Sequence, residues 1–195
     1  MAYLASMVAI MRTSREQWIE QGLTALASGG PDAVRVEALA ASLGVSKGGF
    51  YGQFADRATL LDEMLDTWER ESTSDVRRRV EAQGGDARRK LRQAGALTFS
   101  TDRLLPIDLA VREWARRDTD VADRLQRVDE QRMSYLRELF TAILGDQPEE
   151  VEARSLMAFS LAIGHHFLAA GHGDQSRTEV LRRASRILES GGSAV

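Results

Sequence analysis

Ser46, Lys47, Tyr51 and Gln53 are hydrogen-bonding side chains set around three glycines, Gly48, Gly49 and Gly52. At about 100° per residue, Phe50 and Phe54 fall on one face of a short helix. The glycines cluster opposite them, and Lys47, Tyr51 and Gln53 lie between. Glycine costs a helix interior about 1 kcal/mol relative to alanine, so three of them do not serve stability. A helix this short must be held by packing, and Phe50 and Phe54 supply the anchor. The bare face then admits another surface at close range, and a DNA major groove about 12 Å wide is such a surface. An ammonium and an amide there read base edges, while hydroxyls and guanidinium groups meet phosphates. The competing reading is a glycine-rich turn between two core helices.

The elements that position these residues are legible on either side. Leu39-Ala40-Ala41-Ser42-Leu43-Gly44 and Val45 to Phe54 form two short helices with Gly44 at the bend. A preceding helix starts at Thr13 or Ser14, with Glu16 and Gln17 placed for a capping box. Its stripe is Trp18, Ile19, Leu23 and Leu26, and Gly29-Gly30-Pro31-Asp32 ends it. Val36, Leu39, Ala40 and Leu43 are the stripe of the second helix. The three together enclose a core around Trp18, Leu23, Leu39, Val45, Phe50 and Phe54. Asp56 is an N-cap for a helix carrying Leu60, Leu61, Met64, Leu65 and Trp68, predicted to run on to about Val80. Arg57 lies in its first turn, where a cation opposes the helix dipole. A bound phosphate would offset that cost. The arginines at 77–79 and 88–89 are read as solvated helix faces.

This block resembles the TetR-type transcriptional repressors. The matching residues run from Gly30-Pro31-Asp32-Ala33-Val34 through Val36-Glu37-Ala38-Leu39-Ala40, Leu43-Gly44-Val45-Ser46-Lys47-Gly48, Tyr51, Phe54 and Arg57 to Leu60-Leu61. They cover roughly the first third of the chain. Two departures matter: Arg35 stands where the family often has threonine, and Gly52 where a second aromatic commonly follows Tyr51. Both lie near the expected DNA surface, so no relative's target sequence carries over. The expected DNA-binding residues are Arg35, Ser46, Lys47, Gly48, Gly49, Tyr51, Gln53 and Arg57. The resemblance implies an all-α chain: a three-helix helix-turn-helix domain over 12–56, then a helical effector-binding and dimerisation domain over 57–190. It also implies a cavity for a small-molecule effector. Trp68, Phe99, Trp114, Met133, Tyr135 and His166 are the candidate lining, with Tyr135 and His166 as polar handles.

From Asp86 onward the pattern is helical, over roughly 86–101, 105–117, 119–144, 149–171 and 175–190. Ser155 to Gly171 is apolar nearly all round, which calls for burial on more than one side. Val180, Leu181, Ala184, Ile187 and Leu188 form a stripe beside it. Two such helices from each of two subunits make a four-helix interface, with Phe159, Ile163 and Ile187 expected in it.

Composition narrows the remaining classes. The chain has 195 residues, a formal net charge of −3 and no cysteine, which removes disulfides and thiolate metal sites and fits a cytoplasmic protein. A slightly acidic chain must bind DNA through a local basic face: Arg12, Arg15, Arg35, Lys47 and Arg57. Tyr3 to Met11 is too short to span a membrane and lacks a basic flank before it, so a flexible leader is expected, with no membrane partner. His165, His166 and His172 with Asp174 make a poor metal site, since adjacent helical side chains diverge by about 100°. No motif for nucleophilic, metallo- or nucleotide chemistry occurs; neither an enzyme nor a cofactor is expected. The resulting expectation is a homodimeric repressor, released from a palindromic operator by a small-molecule effector. An activator or a ligand-independent regulator, and a helical ligand-binding or scaffolding protein that no longer binds DNA, are the alternatives.

Overall fold

A computed structural model describes residues 13–99 and 103–190, and the apolar run Tyr3 to Met11 lies outside them. The order is α1 (Arg15–Gly29), a 3₁₀ turn (Pro31–Ala33), α2 (Val36–Ser42), α3 (Lys47–Tyr51), α4 (Arg57–Ser72) and α5 (Ser74–Gln83). There follow α6 (Ala87–Phe99), α7 (Leu104–Ala115), α8 (Thr119–Leu144), α9 (Pro148–Gly164) and α10 (Arg177–Glu189). Among the described residues there is no strand, and no helix is long and apolar enough to cross a membrane.

The caps explain where several helices begin. Ser14 and Gln17 close a capping box on α1, and Asp56 accepts from the Thr59 N–H at 2.8 Å to start α4. Asp118 accepts from the N–H groups of Asp120 and Val121 to start α8. Its other oxygen takes the Trp114 indole at 3.1 Å, which fixes the turn from α7. Pro106 falls in the first turn of α7 rather than before it, where a proline removes no helical hydrogen bond.

Two predicted helices are shorter than their periodicity suggests. The helix from Arg57 breaks at Thr73 (φ −125°, ψ −86°) instead of running to Val80. The cause is the run Ser72-Thr73-Ser74: Thr73 Oγ1 donates to the Glu69 carbonyl at 2.6 Å and Ser74 Oγ to that of Arg70 at 3.2 Å. Hydroxyls bonding back to the i−4 carbonyl bend a helix. The predicted helix 149–171 ends at Gly164. Beyond it, the Arg177 guanidinium donates to the carbonyls of His165, Leu168 and Ala170, holding the chain in a non-helical wrap.

The main core runs through both halves of the molecule. Trp18, Leu23, Leu26, Leu39 and Phe50 of the first three helices, with Phe54 just after α3, are continuous with Leu60, Met64 and Trp68 of α4. Ile107 and Val111 of α7 and Val121 and Val128 of α8 extend it. Gly22 permits the close approach of α1 to α4, since a Cβ there would lie 2.5 Å from the Met64 sulfur. A second, smaller cluster gathers Val76, Val80, Ala94, Tyr135 and Leu139. The space between it and α9–α10 is left open.

Candidate functional site

The first site is the surface carried by α3. Phe50 is fully buried, edge-on to Trp18 at 5.4 Å and stacked on Phe54 at 5.2 Å. Ser46, Lys47, Gly48, Gly49, Tyr51 and Gly52 are exposed around that anchor. Tyr51 keeps 62% of its surface in solvent while its ring edge rests on Phe50. Lys47 pairs with Glu37 in the first turn of α2 at 2.5 Å, and Arg35, the exposed N-cap of α2, stands beside it. Gly44, at the bend, adopts φ +68°, a conformation that costs any L side chain strain. Gly48, Gly49 and Gly52 are not among the positive-φ glycines, so backbone geometry does not demand them. A Cβ at Gly48 would meet only Ser46 Oγ, at 3.5 Å. One at Gly49 would lean toward Val45 and Trp18, at 3.8–3.9 Å.

Gln53 and Arg57 are placed differently from the other expected DNA contacts. Gln53 is half-buried, and its side-chain amide donates to the Thr13 carbonyl at 3.3 Å. The Arg57 guanidinium donates to the carbonyls of Val34, at 2.6 Å, and Pro31. Instead of facing outward for a phosphate with all its donors, Arg57 ties the start of α4 to the 3₁₀ turn. Arg15 forms a comparable tie, reaching Glu63 and the Gln53 carbonyl with its guanidinium over the Phe54 ring at 4.3 Å.

The second site is a cavity of about 800 Å³ between the break at Thr73 and helices α5, α6, α8, α9 and α10. Of the residues expected to line it, Phe99 and Tyr135 do. Phe99 meets Phe159 edge-on at 6.3 Å. The Tyr135 hydroxyl donates to Glu81 at 2.9 Å, and burial together with that carboxylate pushes its pKa up. Trp68 and Trp114 lie elsewhere: Trp68 is sealed in the main core with its indole on Asp108 at 3.3 Å. Trp114 borders a second cleft of about 430 Å³ between α1 and α7. Met133 and His166 are half-buried outside the cavity wall, and His165 takes the lining position next to His166. Burial, then the neighbouring His165 and Arg177, lower the His166 pKa. Phe159 faces the cavity, unlike Ile187, which is 65% exposed; Ile163 is half-buried. Among the described residues no cluster of histidine and carboxylate ligands could hold a metal.

Beneath the cavity lies a buried ionic cluster. Asp108, fully buried, is reached by Arg112 Nε at 2.9 Å and Arg132 Nη2 at 2.8 Å. Arg112 also grips both oxygens of Asp129, at 2.7 and 2.8 Å. Burial alone would raise the Asp108 pKa, but the two arginines overcome it and hold the carboxyl below its ordinary value. Asp108, Arg132 and Ser72 were not among the expected site residues. Two of them carried a signal: Asp108 falls between Leu105 and Val111 in the stripe of α7, and Arg132 between Val128 and Tyr135 in that of α8. A charge at helical spacing within an apolar stripe requires a buried partner.

Residues 10–64 match the profile of the bacterial regulatory proteins of the tetR family. That stretch, from α1 to the middle of α4, belongs to the tetR family. No curated protein sequence matches this chain. Its fold is similar to that of a transcriptional regulator from Rhodococcus sp., with a TM-score of 0.68 at 21% identity over 91% of this chain and 94% of that one. It is similar also to a transcriptional regulator of the TetR/AcrR family from Thermobifida fusca (0.62, 16%, over 92% and 98%). A third similar structure is AibR in complex with isovaleryl coenzyme A and operator DNA (0.64, 12%, over 89% and 96%). At these identities the likeness concerns the fold.

Proposed function

We propose that this DNA-binding regulator is a homodimeric repressor, released from a palindromic operator when a small molecule fills the cavity. The observation that carries the reading is one helix with a functional surface at each end. The start of α4 is bonded to the helix-turn-helix through Arg57, and its last residue, Ser72, lines the cavity. At about 1.5 Å per residue its 16 residues span some 24 Å. Displacement of one end therefore tilts the other. Two recognition helices read a palindrome only at about 34–36 Å, one duplex turn, or a multiple of it. An effector that prefers a conformation with another spacing lowers operator affinity by shifting the population. AibR, solved with both a ligand and operator DNA, supports the pairing of the two sites. Such a repressor acts on the chromosome, in the cytoplasm.

Dimerisation is supported by the outer face of the last two helices. Leu156 and Met157 on α9, Phe167 and Leu168 after it, and Ile187 on α10 are large apolar side chains about half or more exposed. An apolar patch of this kind marks an interaction surface.

The test is selection of duplexes from a random library by the purified protein. A palindromic consensus whose retardation weakens steeply with salt is the expected result. Failure to enrich any sequence would favour the alternative, a helical ligand-binding protein without DNA activity.

A further inference from the structure

The charged groups lining the cavity are mostly arginines, of which Arg77 and Arg132 are paired with Glu138 and Asp108 behind the wall. Five arginines line it (Arg77, Arg92, Arg132, Arg182 and Arg186) against one carboxylate, Glu189. Glu189 is already paired with Arg92 at 2.5 Å. Arg182 and Arg186 on α10 have no carboxylate within ion-pairing distance among the described residues.

Deeper in the wall, Ser72 and Arg132 stand side by side, Arg132 Nε lying 3.4 Å from the Ser72 carbonyl. Ser72 Oγ and both Nη atoms of Arg132 are buried with no hydrogen-bond partner. Arg132 is 9% exposed and Ser72 1%. Arg132 Nη2 is held by the ion pair with Asp108 Oδ1 at 2.8 Å, but Nη1 has only Asp129, at 3.7 Å, so Nη1 and the Ser72 hydroxyl are the donors left without a close acceptor. Buried donors are nearly always bonded, and those that are not call for an acceptor supplied from elsewhere. The lining also carries neutral polar groups such as Thr98, Gln131, Ser134 and Tyr135, and its apolar part includes Phe99, Phe159 and Leu136.

From this we infer that the effector is an amphipathic organic acid, its apolar body against Phe99 and Phe159 and its carboxylate received by Arg132 and Ser72. The inference rests on the effector reading above and names the ligand class for that cavity. A carboxylate accepts the planar donor pair of an arginine in two parallel bonds, and the Ser72 hydroxyl adds a third donor. A side-chain rotation brings the donors from the wall to an acceptor at that end of the cavity. Arg182 and Arg186, which form no ion pair among the described residues, add a positive field that favours anions over cations and neutral molecules. Arg132 then leaves Asp108, which also holds the Trp68 indole on α4, while Ser72 is the last residue of α4 itself. Binding therefore acts on α4 at two points.

The experiment is calorimetric titration of the full chain with octanoate, dodecanoate, hexadecanoate and phenylbutyrate, each beside its primary alcohol and its amine. At least one acid should bind about tenfold or more tighter than its alcohol and amine, the size of a charge-assisted bond. Ser72→Ala should weaken that acid by about threefold or more while the alcohol changes by less than about twofold. The melting temperature of Ser72→Ala without ligand should stay level or rise, because its hydroxyl has no partner to lose. Arg132→Gln should erase the preference for the acid. If Arg132→Gln does not fold, Ser72→Ala decides alone. An alcohol or amine that binds as tightly as its acid, or a series in which no acid binds, overturns the assignment, as does an acid affinity indifferent to Ser72→Ala. Retardation of the selected duplex is measured on the same samples without ligand. Its loss would sink the regulator reading and leave the titration result standing.

Discussion

Gly48 rather than Gly49 is the position at which a side chain would stand clear of the core, and so the better probe of the proposed DNA face. A side chain at Gly48 projects past Ser46 alone, whereas one at Gly49 starts toward Trp18 and Val45. Gly48→Leu should therefore abolish specific retardation of the selected duplex while the melting curve stays level or improves, as glycine is removed from a helix. A stable Gly48→Leu protein with normal affinity would show that this face does not enter the groove. Lys47→Ala should change discrimination between duplex variants by about 1–3 kcal/mol if its ammonium reads a base edge. Tyr51→Phe removes an uncharged hydroxyl, so affinity should fall with little change in salt slope. Arg57 calls for a different expectation. Its donors are engaged by the carbonyls of Val34 and Pro31, so Arg57→Ala should cost about 1–3 kcal/mol of folding stability. Denaturation in urea is the check; unchanged stability combined with a shallower salt slope would return Arg57 to the phosphates.

At the scale of elements, the junctions set the behaviour. Gly44 at φ +68° separates α2 from α3, and Gly44→Ala should destabilise the head by about 1–2 kcal/mol. Gly22→Ala places a methyl against the fully buried Met64 between α1 and α4, and overpacking of this kind costs about 1–3 kcal/mol. The ionic cluster joining α4, α7 and α8 is the third junction. Asp108→Asn leaves Arg112 and Arg132 without their shared carboxylate and should cost about 3–5 kcal/mol. Because the Asp108 pKa is lowered in the fold, its contribution is fully present above the ordinary aspartate value of about 3.9 and is lost as pH falls below it toward the folded value. Melting followed between pH 7 and 3 should show a steep acid limb in the native protein and a flatter one in Asp108→Asn. Identical acid limbs would remove Asp108 from that role.

At the scale of the molecule, the exposed face of α9 and α10 is where two copies meet in the proposed dimer. Leu156→Arg and Ile187→Arg add charge to side chains already 57% and 65% exposed, so the single chain should fold unchanged. Sedimentation should find monomers, with specific DNA binding lost because half-site spacing needs two recognition helices. A dimer that survives both substitutions places the interface elsewhere. Phe159→Arg is a poorer probe of association, since Phe159 packs on Phe99 at the cavity.

Local signals were strong enough to be read without coordinates wherever sequence neighbours make the structure. Ser14 with Gln17, Asp56, Gly44 and the pair Phe50 and Phe54 act within a turn or two of chain, so helix starts, the bend and the anchor of α3 follow from spacing. The break at Thr73 was available in the same way, because Ser72, Thr73 and Ser74 compete with the helix through their own hydroxyls. The cavity was not. Which aromatics line it depends on how α5, α6, α8, α9 and α10 pack, and Trp68 and Phe99 look alike in a sequence. Only the fold sends one into the core and the other to the wall. Arg57 is the same case in electrostatics: the unfavourable cation is visible in the chain, but its acceptors, Val34 and Pro31, are brought to it by a turn more than twenty residues upstream. Asp108 and Arg132 announce a buried partner by their place in apolar stripes. That they are partners of each other, beneath a cavity and beside the end of α4, is decided by tertiary packing, because a buried charge can be neutralised only by what the fold sets within a few ångströms of it.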